Sequence, residues 1–283
     1  MKLLLILGLL LFNLQAKSLF SNDAQKESSI YISNLKELIL ATQTTRGLTN
    51  AYLNGNTASL LLIYNSRSNI KKAIGKMEST SLATDIVINT RASDISKALI
   101  KLNSIAFKQS PKKTFSDYTE QIEQILMLAQ TISQRNTKDL NPFGREASVI
   151  MMENMLPLTE YVGQLRGFGA GVAARGVVVR SDIEQIYLLV NEVTTLNTTL
   201  QEQMGGLIAK YSAKLPSSIK TEVATINKAV KKYQFLASKT LLKTPKKVDS
   251  DLYFEQGTEL IEDIVKAYNT CNRAILEDSK GWL

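Results

Sequence analysis

Along nearly the whole chain, apolar residues recur three and four positions apart, the period of a helix buried on one face. No stretch alternates apolar and polar residues as a half-buried strand would. The pattern predicts about eight helices. The first runs from about Asp23 to Leu53 and stops at Asn54-Gly55-Asn56, turn formers set just after the last periodic apolar residue. The second spans about Thr57 to Met77. The third, about Leu82 to Phe107, ends before Ser110-Pro111, because proline disfavours helix in the residue before it. The fourth covers about Thr114 to Gln134. RNTKDLNPFG is the clearest polar break. The fifth follows it, from about Pro142 to Ala174, with a kink expected at Pro157. The sixth, about Ser181 to Lys210, has Ser181 and Asp182 placed as caps. The seventh spans about Pro216 to Leu241, and the eighth about Ser250 to Glu277.

The two halves of this pattern are alike. With Arg46-Gly47 set over Arg166-Gly167, RGLTNAYLNG lies over RGFGAGVAAR and Ala51 falls on Gly171. Each half closes on an aromatic–threonine helix, FSDYTEQIEQIL and YFEQGTELIEDIV, in which Thr119 matches Thr258 and Ile122 matches Ile261. The expected fold is all-α: two tandem four-helix bundles related by internal duplication, over residues 17–140 and 141–283.

Residues 1–16 read differently. Lys2 is a short positive start, Leu3 to Phe12 is apolar, and Ala16 is a plausible last residue before cleavage, although Leu14 is large for its place. This is the pattern of a secretory signal peptide, with an uncleaved membrane anchor as the alternative. The expectation is an exported protein, periplasmic in a Gram-negative host. With no spanning segment after Glu277, it would act alone and signal through a separate partner.

Composition narrows the chemistry. The chain has no histidine and one cysteine, Cys271. Histidine-based catalysis, intrachain disulfides and thiolate metal clusters are excluded. No motif points to a cofactor, a metal or an enzyme. The formal charge is +8, and the lysines fall in scattered pairs such as Lys71-Lys72 and Lys231-Lys232. Solvated helix ends explain these better than a nucleic-acid patch, while a basic chain suits a small anion. Tyr161, Tyr187 and Met151-Met152-Met155 read as core or interface.

The arginine–glycine helices are costly. Gly163, Gly167, Gly169 and Gly171 fall within nine residues, and together they disfavour helix by roughly 4 kcal/mol relative to alanine. Close helix packing, space kept for a ligand, or a loop at GFGAG would each account for them. Arg46 and Arg166 lie beside these glycines. A guanidinium suits a small planar oxyanion, which accepts two parallel hydrogen bonds. Thr42, Thr49 and Asn50 share the helix face of Arg46 and are candidate polar contacts. Glu160 and Glu153 are within helical reach as structural partners for parts of the fifth helix.

TTRGLTNAYL, LRGFGAGVAARG and the two aromatic–threonine helices, in that order, resemble the nitrate- and nitrite-sensing (NIT) domain family over roughly residues 25–278. The resemblance implies a double four-helix bundle that binds nitrate or nitrite through arginines, usually as the input module of a receptor, cyclase, kinase or antiterminator. Arg46 matches the arginine of the family's RG motif, and Arg166 the arginine-bearing helix that opens the second half. Arg175 and Arg180 are further candidates. Family members often carry basic or polar residues just before RG. Here they are Thr44 and Thr45, which leaves the anion's identity open. The expectation is an anion sensor for nitrate, nitrite or a similar ion, with a receptor or sensor kinase as protein partner, no nucleic acid, and a possible homodimer. The alternative is a helical interaction module without a small ligand.

Overall fold

The computed structural model describes the backbone of residues 2–280 and the side chains of residues 25–279. The leader assigned to residues 1–16 lies outside the described side chains. Among the described residues there are nine α-helices and no strands: α1 (Lys2–Leu53), α2 (Ser59–Glu78), α3 (Ile86–Ile105), α4 (Pro111–Asn136), α5 (Pro142–Ile150), α6 (Leu156–Arg175), α7 (Arg180–Lys210), α8 (Ser218–Phe235) and α9 (Ser250–Lys280).

The expected fifth helix is α5 and α6 in one continuous run, joined by a π-helical turn at Met151–Met155. Pro157 has no N–H to donate and its ring crowds the carbonyl four residues back, so the widened turn ahead of it takes up the mismatch. A second π turn, Leu236–Leu241, finishes the expected seventh helix. Several starts move for local reasons. Asp85 caps α3 by accepting from the amides of Val87 and Ile88. Ser110 caps α4, and Pro111 occupies its first position. At α7 the expected capping is corrected. Val179 is the boundary residue, and Asp182 acts from inside the first turn, accepting from the Val179 amide at 2.8 Å and pairing with Arg175.

Helices α1 and α6 cross at the centre. Around α1 lie α2 and α4, and α3 rests on α4. Around α6 lie α7 and α9, and α8 rests on α9. One continuous apolar core joins the two sets: Leu35, Leu38 and Ile39 of α1, Ile122 and Ile125 of α4, Leu158 and Val162 of α6, and Ile264 of α9 are fully buried. Met151, Met152 and Met155 are buried with them, whereas Tyr187 is exposed.

Candidate functional site

The α1–α6 crossing is built on glycine. A Cβ placed on Gly167 would stand 2.8 Å from the Gly47 Cα. One on Gly47 would stand 3.1 Å from the Gly167 Cα and 2.6 Å from the Phe254 ring. Gly163 makes room for Gln43 and the Arg46 Nη2, Gly169 for the Tyr253 phenol, and Gly171 for the Asn50 amide. GFGAG is therefore helical, and close approach at every glycine offsets the cost of the run.

Arg46 is fully buried at this crossing. Its guanidinium lies over the Phe115 ring, 4.8 Å from the centroid, and Nη1 donates to the Thr119 hydroxyl at 2.9 Å. Both Nη groups also reach the Glu160 carboxylate of α6, Nη2 at 3.3 Å. Gln43 and Gln164 donate to the same carboxylate at 3.0 and 2.9 Å. Arg46 thus has its counter-ion. Only its Nε remains buried without a partner.

Arg166 occupies the matching place in the second half. Its guanidinium lies 4.3 Å from the Phe254 centroid, and Nη1 donates to the Thr258 hydroxyl at 2.8 Å. Thr119 and Thr258 complete the match by donating to the carbonyls of Phe115 and Phe254. Here the likeness ends. The residue standing to Arg166 as Glu160 stands near Arg46 would come from α1, and position 40 there is a leucine. No carboxylate among the described residues pairs with Arg166, and its Nε and Nη2 are buried with no partner. Burial pushes its pKa down to about 10; the Arg46 charge acts in the same direction, and Tyr233, Glu160 and Glu262 oppose it. The unpartnered Nε–H and Nη2–H form the side-on edge of the guanidinium, parallel donors at the spacing of two oxygens on one planar centre.

The other expected contacts divide. The Thr42 hydroxyl donates to its own helix, at Leu38 O, 2.7 Å. Asn50 clasps the crossing, donating to Gly167 O at 2.9 Å. The Thr49 hydroxyl is buried against the Tyr118 phenol, away from Arg46. Arg175 is held by Asp182, and Arg180 pairs with Glu184 in solvent. Sequence reasoning did not place Phe115, Phe254, Gln43 or Gln164 at the site. The first two were within reach, because each precedes its matched threonine by four residues and so shares its face.

A family model described as nitrate and nitrite sensing matches residues 37–276. Among solved structures, that of the NasR transcription antiterminator superposes with a TM-score of 0.70 at 13% identity, over 97% of this chain and 75% of that one. At that identity the likeness carries the fold alone. No curated protein matches in sequence.

Proposed function

The chain belongs to the nitrate- and nitrite-sensing (NIT) family, and from that premise we propose that it binds a small planar oxyanion, nitrate or nitrite, on the free edge of Arg166. One observation carries the reading: a fully buried guanidinium with two unpartnered N–H groups and no carboxylate. A buried cation without a counter-ion is expensive, and an anion arriving there gains the full electrostatic benefit of a dry site. Trigonal geometry fits the Nε/Nη2 edge, and the Phe254 face closes one side. Arg46, neutralised by Glu160, shapes the crossing beside it.

Membership makes the protein a signalling module. The rest of the reading goes further. Binding at Arg166 tightens α6 against α1 and α9, and the altered packing passes to a separate receptor or sensor kinase. The leader-like residues 1–16 support export, and no helix among the described residues is long and apolar enough to cross a membrane.

The test is thermal unfolding at low ionic strength. Nitrate or nitrite at a hundred times its dissociation constant for the Arg166 edge should stabilise by about 2.7 kcal/mol, chloride should not, and Arg166→Met should remove that contribution. Equal melting temperatures in nitrate and chloride would sink the reading.

A further inference from the structure

A third arginine repeats the arrangement away from the crossing. Arg67 of α2 stacks on the Phe107 ring with 4.4 Å to the centroid, against 4.3 Å for Arg166 on Phe254. Its Nε and Nη2 are buried and unpartnered, the same side-on edge that Arg166 leaves free. No carboxylate among the described residues forms an ion pair with it. Unlike Arg166, the residue as a whole is only partly buried and lies away from the α1–α6 crossing.

All four helices of the first bundle serve this spot. The buried Thr49 hydroxyl of α1 and the Arg67 guanidinium both approach the Tyr118 phenol of α4, which interacts with each of them. The Tyr118 phenol is anchored by donating to Asn103 of α3 at 2.7 Å. Tyr52 backs the stack with its ring 5.1 Å from that of Phe107. An arginine edge, two neighbouring hydroxyls and aromatic walls come together there with no negative charge among them.

We propose that Arg67, with Thr49 and Tyr118, forms a second oxyanion site in the first bundle, taking one small planar anion such as nitrate or a short carboxylate. The aromatic walls limit its size, and the fork selects two oxygens on one planar centre over a spherical halide.

The experiment is calorimetric titration of the full chain with sodium nitrate and, separately, sodium formate. Wild type, Arg166→Met, Arg67→Met and Arg67→Lys are compared, with the fold checked by circular dichroism. The expected result is that Arg166→Met still binds one equivalent of nitrate or formate. Arg67→Met should lose that equivalent, and Arg67→Lys, which keeps charge without the fork, should bind it about tenfold more weakly. Nitrate binding preferred over formate at this site would make it a second sensor site, and the reverse a carboxylate site. If Arg166→Met removes all binding, the Arg67 site is refuted and the sensing site stands. If only Arg67→Met removes binding, the reverse holds. Equal affinity of Arg67→Lys and wild type would refute the fork even with binding present.

Discussion

Two arginines that each precede a glycine on matching helices carry opposite energetics. Arg46 and Glu160 are a buried, hydrogen-bonded ion pair. Removing one member strands the other charge, so Arg46→Met should destabilise the anion-free chain by about 3–5 kcal/mol. Arg166 has no such partner, and Arg166→Met removes an uncompensated charge while keeping much of the stem's packing. Urea unfolding should show it at least as stable as wild type without anion. A large loss for Arg166→Met would mean that an internal partner already satisfies the guanidinium. Both RG motifs and both matched threonines were legible in the sequence. The asymmetry was not, because the deciding residue is Glu160, contributed to Arg46 from the facing helix, against Leu40 in the matching place.

For the helices, the glycines separate two uses of the same residue. A Cβ on Gly167 meets the backbone of α1, which cannot rotate away. Gly167→Ala should therefore force the crossing apart at a cost of about 1–3 kcal/mol, although alanine is the better helix former. On exposed α7, a Cβ added to Gly205 would meet nothing within 4 Å. Gly205→Ala should stabilise by up to about 1 kcal/mol. Paired thermal melts check the contrast, and a stabilising Gly167→Ala would show that the helices do not need their close approach. Helix identity was readable from periodicity alone. The π turns at Met151–Met155 and Leu236–Leu241 were not, since the apolar spacing barely changes when a helix widens by one residue.

Across the whole molecule, the buried phenols set an alkaline limit. Burial raises the pKa of Tyr31 and Tyr118 to about 12, and those of Tyr233, Tyr253 and Tyr268 as well. The unfolded chain ionises these phenols near 10 while the folded chain keeps them protonated. Their contribution is complete below pH 10 and is lost as pH rises through the folded values. Arg166 and Lys36 run the other way: burial lowers both, so their penalty is relieved as pH climbs toward their ordinary values of 12.5 and 10.5. Five phenols outweigh two cations, and stability should fall steeply above pH 10. Urea midpoints between pH 8 and 11.5 measure this, and a flat profile would mean the phenols are wetter than the fold shows.

The sequence by itself determined the all-helical class, the duplicated order of motifs and the family, because periodicity and short motifs are properties of a single helix. It also singled out Arg46 and Arg166, since a charge beside a small-residue stripe is visible in one dimension. Only the tertiary structure decided which arginine is free. It also moved Thr49 from Arg46 to the Tyr118 phenol, and turned Asn50 from a candidate ligand contact into a clasp on Gly167. Those outcomes depend on what the facing helix brings within hydrogen-bonding distance, and a helix's own sequence does not contain its neighbour.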